Sequence, residues 1–248
     1  MKICRFVKEG RIGIGIVEGD EIWVTDANLN RTEELWYLNE VELLAPTTPT
    51  KIVCVGRNYA EHAAELGNDV PSSPLLFLKA PSALISSGSP IIIPEQSLQV
   101  EHEGELGVVI GRRAKDIRDD ENALEYVLGY TCVNDVTARD VQRADVQFTR
   151  GKSFDTFCPT GPYIETELDV TDIQVTCKVN GEIRQSGKTS QMVFPVEYLV
   201  RYISRQMTLM PGDLIATGTP SGVSKLNAGD ICEVTVEGVG TLSNPVAN

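Results

Sequence analysis

The amino-acid sequence predicts a mostly β protein of the α+β class with few helices. Short apolar runs, alternating or continuous, recur along the 248 residues and are separated by Gly, Asn and Asp turn signals. Asn180-Gly181 separates two such runs and predicts a hairpin turn. Only residues 195–207 carry apolar side chains at a clear helical spacing, which indicates core packing and gives no functional argument.

Composition restricts the class of protein. A hydrophobic content of 42% permits a full core, whereas only 6% of the residues are aromatic, so base-stacking surfaces are not expected. The formal net charge of -13 argues against a nucleic-acid partner and against an anionic membrane surface. No apolar run reaches the length of a membrane span, and no secretory signal opens the chain. The six scattered cysteines fit neither a zinc site nor a disulfide scaffold, so we expect a cytoplasmic protein with reduced thiols.

The first fifth of the chain is expected to form a small β-rich domain. Residues 2–25 show the alternation and the turns of a β-meander, and a helix is expected at residues 32–38. Residues 45–50 have the composition of a linker. We therefore predict an N-terminal domain of residues 1–48 and a main domain of residues 49–248.

The main domain is predicted to alternate strands with short helices. Asn58 is expected to cap a helix that ends at Gly67, Asp119 is expected to begin a helix that ends at Leu128, and Thr137 is expected to cap a third. The expected strands are residues 51–56, 74–79, 129–133, 173–179, 231–236 and 241–246.

The most informative stretch is Val100–Ile110. Glu101, Glu103 and Glu105 alternate with other residues, so they are expected on one face of a strand that continues into an apolar block. Buried like charges require protonation, basic partners or a bound cation, and we favour a cation because the stretch contains no Lys or Arg. Asp135, at a predicted strand end, is a plausible further carboxylate. A solvated edge face remains the alternative.

Two further groups could carry chemistry. His62 and Glu65 are three residues apart on a predicted helix, so they share a face and can form a proton-transfer pair. A surface helix pair is the alternative reading. Taken alone, Lys152 is more typical of a surface lysine, and Arg139 and Asp140 are compatible with a solvated helix face.

Six motifs in order resemble the fumarylacetoacetate hydrolase family, and together they cover essentially all of the chain after residue 50. The motifs are Val55-Gly56-Arg57-Asn58-Tyr59-Ala60-x-His62, Glu103-x-Glu105-Leu106-x-Val108, Asn134-Asp135-Val136-Thr137-Ala138-Arg139-Asp140, Lys152-Ser153-Phe154-Asp155, Cys158-Pro159-x-Gly161 and Thr217-Gly218-Thr219-Pro220-x-Gly222. The first segment resembles the small N-terminal domain of some bacterial members.

The resemblance implies a rolled, mixed β-sandwich, usually dimeric. It implies Mg²⁺ or Mn²⁺ held by Glu103, Glu105 and Asp135, an all-oxygen set. It also implies that the segment with His62 and Glu65 is a mobile lid.

The same resemblance assigns roles around the metal. Lys152 is similar to the family lysine that stabilises developing negative charge. Arg139 and Gln142 match residues that line the substrate site, and Thr219 matches a residue that contacts a substrate carboxylate. Glu101 is left outside the metal site.

The expected activity is metal-dependent hydrolysis of a C–C bond in an acylpyruvate or a fumarylacetoacetate-like β-diketo acid. His62 and Glu65 would activate water, and Lys152 would stabilise the alkoxide. Oxaloacetate decarboxylation and isomerisation of 2-hydroxyhepta-2,4-diene-1,7-dioate are the alternative activities, because both also pass through an enolate. An inactive scaffold that binds a 2-oxo acid is the non-enzymatic alternative.

Overall fold

The computed structural model describes residues 1–248 and confirms the mostly β class with few helices. The α-helices are α1 (Ala60–Glu65), α2 (Arg139–Ala144), α3 (Thr149–Lys152) and α4 (Val196–Gln206). The strands are β1 (Lys2–Lys8), β2 (Arg11–Glu18), β3 (Glu21–Thr25), β4 (Arg31–Tyr37), β5 (Glu42–Leu44), β6 (Ile52–Gly56), β7 (Leu75–Lys79), β8 (Leu84–Ile85), β9 (Ile91–Ile92), β10 (Val100–Glu101), β11 (Gly104–Ile110), β12 (Val127–Asn134), β13 (Thr137–Ala138), β14 (Cys158–Glu165), β15 (Gln174–Val179), β16 (Glu182–Lys188), β17 (Leu214–Ala216), β18 (Ile231–Val236) and β19 (Gly240–Ala247).

Two sheets pack face to face around one main hydrophobic core. The larger has twelve strands, in the order β4-β3-β2-β1-β14-β12-β11-β17-β6-β7, with β5 paired to β1 and β8 paired to β14. The smaller has the order β16-β15-β18-β19-β9. The central strands β11, β12 and β14 lie against β15, β18 and β19. Every residue of β11 is therefore buried, as its apolar run predicted.

The N-terminal strands extend the large sheet. The meander of β1, β2 and β3 is confirmed, and β1 also pairs with β14 through Lys2 opposite Glu165 and Ile3 opposite Ile164. The predicted linker is packed rather than free, because the Arg5 guanidinium donates to the carbonyls of Ala45 and Thr47. The division into domains at residues 48 and 49 stays a prediction.

Two predicted helices are wrong. Residues 32–38 lie mostly in β4, where Trp36 pairs with Ile22 of β3 and packs on a small second core, so burial of this aromatic side chain outweighs local helix propensity. Only Ala123–Tyr126 of the predicted helix at residues 119–128 is helical, as a short 3₁₀ turn. Strand β12 begins at Val127 because its apolar residues pair with β11.

Two predicted caps are also wrong. Asn58 is fully buried and does not cap α1; its side-chain amide donates to the carbonyls of Phe194 and Thr217, and its oxygen accepts from the Phe194 N–H. Thr137 lies in β13 and its hydroxyl donates to the Asp135 carbonyl. In both cases the polar side chain satisfies distant or preceding backbone groups instead of a helix start.

Close packing of the two sheets explains why a glycine, Gly104, lies between Glu103 and Glu105. A Cβ atom at this position would lie 3.1 Å from Cys177 Cβ of the facing sheet. The sheets can therefore approach closely only where β11 has no side chain.

None of the helices combines the length and the apolar composition that crossing a membrane requires.

The Asn58 side chain connects the start of α1 to two distant loops, so its removal should destabilise the protein. Asn58→Ala leaves one N–H and two carbonyl groups without their partner, and we expect a loss of about 1–3 kcal/mol in the free energy of unfolding. Urea denaturation followed by circular dichroism measures this loss. The control is Asn28→Ala, an exposed turn residue whose side chain makes no hydrogen bond. Equal midpoints for the two variants would contradict the assigned role.

Candidate metal centre and its cavity

Three carboxylates meet where β11 and β12 end. Glu103 immediately precedes β11, Glu105 is its second residue, and Asp135 follows β12. The register of the two strands brings them together: the Asp135 N–H donates to the Glu103 carbonyl at 2.8 Å. One oxygen from each of the three side chains lies within 4.8 Å of the others, and all three residues are buried.

The predicted single strand is interrupted between β10 and β11. Glu101 therefore belongs to β10, away from the three carboxylates, and it accepts a hydrogen bond from Arg139 Nε at 2.7 Å. Asn134 Oδ1 accepts the Glu103 N–H at 2.9 Å, so a side chain replaces strand pairing at the break. Glu101 is a buried partner of Arg139 and has no place among the candidate ligands.

Basic residues do compensate the carboxylates, but they come from elsewhere in the chain. Lys152 Nζ lies 2.7 Å from Glu103 and 2.6 Å from Asp135. Arg139 also donates to Glu103, and Lys79 donates to the second oxygen of Asp135. Because Val100–Ile110 contains no Lys or Arg, basic partners for the carboxylates were not expected from the sequence. Lys79 was missed because a lysine at the end of an apolar strand carries no local sign of burial.

Glu105 is the carboxylate without a cationic partner. Its only hydrogen bond is from the Gly218 N–H, at 2.8 Å. Burial raises the pKa of Glu105 well above its usual value, and repulsion from Asp135 and Glu103 raises it further. For Glu103 burial also opposes ionisation, but Lys152 and Arg139 outweigh it and lower the pKa.

The charges around the cluster leave one carboxylate uncompensated. Four carboxylates (Glu101, Glu103, Glu105 and Asp135) face three cations (Lys79, Arg139 and Lys152). A divalent cation would satisfy Glu105, and an all-carboxylate set suits Mg²⁺ or Mn²⁺. The residues present therefore fit the metal site that the sequence predicted.

The imidazole of His62 and the carboxylate of Glu65 face each other on α1. His62 Nδ1 lies 3.3 Å from Glu65 Oε2, and His62 is 5% exposed. Both Glu65 oxygens also accept the Gly222 N–H at 3.1 Å. Gly222 has φ +100°, and a Cβ atom there would overlap the Arg184 carbonyl oxygen. Glycine therefore allows the loop to reach Glu65.

A cavity of about 350 Å³ connects these groups. Its size is at the lower end of small-molecule sites, which span roughly 300–1,000 Å³. Eight of the nine predicted site residues line it: His62, Glu103, Glu105, Asp135, Arg139, Gln142, Lys152 and Thr219. Glu65 is the exception, since it lies behind His62 and contacts the ring. Phe77 and Phe148 form an edge-to-face wall, their ring centroids 5.5 Å apart.

Gln185, which sequence reasoning missed, links the start of β11 to the loop that carries Thr219. Its amide oxygen accepts from the Gly104 N–H and from His102 Nδ1, and its nitrogen donates to Thr219 Oγ1 and to the Pro220 carbonyl, all at 2.7–2.9 Å. Burial lowers the pKa of His102, which favours the neutral ring. Gln185 is 1% exposed, so it holds the Thr219 loop in place from inside the core.

Comparison with known proteins gives family models and relatives that match most of the chain. The profile of the Fumarylacetoacetate (FAA) hydrolase C-terminal family matches residues 51–247, and the Rv2993c-like N-terminal profile matches residues 1–46. Oxaloacetate tautomerase YisK of Bacillus subtilis is 41% identical, over 93% of this chain and 84% of its own. The mitochondrial oxaloacetate decarboxylase of Dictyostelium discoideum is 46% identical, over 78% of this chain and 92% of its own.

A solved structure gives the same answer for the fold. The 5-carboxymethyl-2-hydroxymuconate delta-isomerase from Mycobacterium smegmatis superposes with a TM-score of 0.93 at 43% identity, covering 100% of this chain and 99% of that one. The match spans both sheets and the N-terminal strands. This chain belongs to the fumarylacetoacetate hydrolase family.

Proposed function

We propose that this protein is an enzyme that depends on Mg²⁺ or Mn²⁺ and acts on a 2-oxo acid through its enolate. The observation that supports the proposal most directly is the position of His62. Its ring lines the same cavity as Glu103, Glu105 and Asp135, and Glu65 orients it from behind. A divalent ion held by the three carboxylates would supply a Lewis acid that stabilises an enolate oxygen.

The other roles in the reaction, proton transfer, charge stabilisation and substrate binding, are assigned to different side chains of the cavity. His62 moves a proton to or from the substrate, and Glu65 holds the ring in one orientation and stabilises its charged form. Lys152, on the cavity wall, stabilises negative charge on the substrate. Arg139 and Gln142 bind substrate oxygens; the Arg139 guanidinium donates to Gln142 Oε1 at 2.6 Å, which fixes the amide. Thr219 is the proposed contact for a substrate carboxylate.

Proton transfer on oxaloacetate is the first candidate reaction. The two relatives compared above are named for oxaloacetate tautomerisation and decarboxylation, and the solved neighbour is named an isomerase. Tautomerisation requires only that one base move a proton between carbon and oxygen. The single oriented imidazole at the cavity wall suits that requirement.

Hydrolysis of a C–C bond in an acylpyruvate or a fumarylacetoacetate-like acid is the second candidate. The His62–Glu65 pair favours it, because a base oriented by a carboxylate can also activate a water molecule. An inactive 2-oxo-acid-binding scaffold is the reading that the complete set of polar groups disfavours.

A substrate panel separates these reactions. We expect Mg²⁺-dependent turnover of oxaloacetate, acetylpyruvate or fumarylpyruvate. The loss of enol absorbance measures the rate, and product analysis identifies the reaction. Disappearance of the oxaloacetate enol with no change in carbon skeleton would identify a tautomerase. Release of pyruvate from acetylpyruvate or fumarylpyruvate would identify a hydrolase. No turnover of any of the three with Mg²⁺ or Mn²⁺ would reject the proposed function.

We further propose a cytoplasmic homodimer with a small-molecule substrate. Six buried thiols without disulfide bonds suit a reducing compartment. The dimer follows only from the family resemblance, and size-exclusion chromatography with light scattering measures it directly.

Removal of the Glu65 carboxylate should stop proton transfer without removing the metal. Glu65→Gln keeps the size of the side chain but weakens its hold on charged His62, so we expect kcat to fall by roughly 10²–10⁴-fold. The matched control is Glu61→Gln, an exposed residue of the same helix that should retain activity. Unchanged turnover by Glu65→Gln, with Mg²⁺ affinity intact in both variants, would refute the role of the pair.

Metal affinity should depend on pH because Glu105 must lose its proton to act as a ligand. The raised pKa of Glu105 means that the proton is held to higher pH than usual, so the apparent affinity for Mg²⁺ should rise as pH rises. Calorimetry in two buffers of different ionisation enthalpy should show release of up to about one proton per ion.

Glu105→Gln should abolish that release and weaken binding. Glu182→Gln, an exposed residue far along the chain, should not change either quantity. Exhaustive chelation should abolish all turnover, and activity that persists in chelator would remove the metal from the proposed function.

A further inference from the structure

The glycine between the two glutamates of the candidate metal site has no strand partner on one side. β17 pairs with β11 only from Gly107 to Val109, so Gly104 lies beyond the end of the neighbouring strand. Two side chains take the place of that strand. The Gly104 N–H donates to Gln185 Oε1 at 2.9 Å, and the Gly104 carbonyl accepts from Thr219 Oγ1 at 2.9 Å. Side chains therefore satisfy both hydrogen-bonding groups of this backbone.

Gln185 and Thr219 form a closed set of hydrogen bonds with Gly104. Gln185 Nε2 donates to Thr219 Oγ1 at 2.7 Å, and the Thr219 hydroxyl donates its single proton to the Gly104 carbonyl. The hydroxyl therefore has no proton left for a substrate. A contact between Thr219 and a substrate carboxylate would use the main-chain N–H of Thr219, which makes no hydrogen bond within the protein. The hydroxyl instead joins the loop to β11.

The same loop contacts both halves of the proposed site. At one end, the Gly218 N–H is the only hydrogen-bond donor to Glu105, at 2.8 Å. At the other end, the Gly222 N–H donates to both carboxylate oxygens of Glu65 at 3.1 Å. Gln185 holds the residues between these two contacts. A change in the position of Gln185 would therefore reach Glu105 and Glu65 together.

Gln185 is itself held by the smaller sheet. It lies on β16, the edge strand of that sheet, opposite Cys177. Because the Gly104 N–H requires an acceptor, the amide oxygen must face β11 and the amide nitrogen must face the loop. His102 Nδ1 binds the same oxygen at 2.9 Å, and the nitrogen also donates to the Pro220 carbonyl at 2.7 Å. An apolar side chain of the same size could fill this space but could not bind both sides.

We propose that Gln185 is a positioning residue for proton transfer. It holds Gly104 and the Thr219 loop at one distance, and this keeps the carboxylates of the candidate metal site and the His62–Glu65 pair in one relative position. A displacement of about 1 Å can lower a rate by roughly 10²-fold. The inference rests on the proposed function for the role of His62. It adds a residue that does not line the cavity.

Gln185→Met tests the proposal because it removes all four hydrogen bonds and nearly keeps the size of the side chain. We expect kcat at saturating Mg²⁺ to fall by roughly 10²-fold. Circular dichroism shows whether the variant is folded under the assay conditions, so that the loss can be expressed per folded molecule.

The matched control is Ser204→Ala, which removes a buried hydrogen-bonding side chain far from the loop. The Ser204 hydroxyl donates to the Arg201 carbonyl at 2.7 Å and accepts from the Ile117 N–H at 3.1 Å, and Ser204 does not line the cavity. This variant should also lower the midpoint of urea denaturation, because it leaves buried backbone groups unpaired. It should retain kcat, which a purely structural role of Gln185 would predict for Gln185→Met as well.

A double-mutant cycle shows whether Gln185 acts through Glu65. If it does, the effects of Gln185→Met and Glu65→Gln are not independent. In the Glu65→Gln background, Gln185→Met should then lower kcat by less than about 5-fold instead of roughly 10²-fold. Two residues that act separately would give the product of their individual losses.

Two further measurements keep the proposal testable. Thr219→Val removes the hydroxyl but leaves the Gly104 N–H bound to Gln185, so it remains informative if Gln185→Met does not fold, and it should also lower kcat. Hydrogen exchange followed by mass spectrometry needs no turnover. Residues 217–224 and α1 should exchange faster in Gln185→Met, or in Thr219→Val, than in Ser204→Ala, because the loop has lost its link to β11.

Three results would overturn the proposal: unchanged kcat in the folded Gln185 or Thr219 variant, a full product of losses in the cycle, or exchange of the loop no faster than in Ser204→Ala. Failure of the proposed function is distinguishable from these outcomes. A natural protein that turns over no 2-oxo acid would reject the activity, while hydrogen exchange would still measure the effect of Gln185 on the loop. A protein that turns over a 2-oxo acid equally well without Gln185 would keep the activity and reject the positioning role.

Discussion

The burial of several carboxylates beside one cavity is the constraint on which the rest of the structure depends. An ionised carboxylate is unstable in such surroundings unless cations and hydrogen bonds compensate it. The compensating cations arrive from three elements that are distant in sequence: β7 supplies Lys79, α2 supplies Arg139 and α3 supplies Lys152. Glu103 and Asp135 each contact two of these cations, whereas Arg139 is the single basic partner of Glu101, so loss of Arg139 would leave a buried charge unpaired, at a cost of roughly 3–5 kcal/mol. The two short helices and the edge strand must therefore converge on the ends of β11 and β12.

This compensation is unequal, and the difference singles out the candidate metal site. Both oxygens of Glu103 and both oxygens of Asp135 accept hydrogen bonds from lysine or arginine, whereas Glu105 has only a backbone N–H. A carboxylate oxygen has a second lone pair, so Glu103 and Asp135 can serve a cation while they keep their basic partners. Glu105 has no such partner to keep. Its charge is the one that a bound cation has to balance.

Much of this site could be predicted from the sequence because its key features are local. The two-residue period of a strand placed Glu103 and Glu105 on one face, and a helical spacing of three residues paired His62 with Glu65. The predicted strand end also suggested Asp135, and motif resemblance added Lys152, which no local pattern would have joined to the glutamates.

The features that were missed are nonlocal. Lys79 and Gln185 act through contacts with residues more than fifty positions away, and the Asn58 side chain reaches Phe194 rather than its own helix. The strand at residues 31–37 was likewise decided by pairing with β3 and not by local propensity. Local patterns therefore indicated the candidate site residues but not the residues that hold them in place.

Helix α1 connects the orientation of the His62 ring with the loop that carries Gly222. A helix of six residues is too short to be stable by itself, so its position depends on contacts at its surface. Glu65 Oε2 lies 3.3 Å from His62 Nδ1 and 3.1 Å from the Gly222 nitrogen, so one oxygen serves both the ring and the loop. Displacement of α1 from that loop would also change the surroundings of the His62 ring. Leu66 and Asn68 at the end of this segment line the cavity as well, so a ligand that displaces them would also change the position of the His62 ring. The candidate reactions would all use Glu103, Glu105 and Asp135. We therefore expect the difference between them to depend on how α1 and the loop that carries Thr219 and Gly222 contact the ligand.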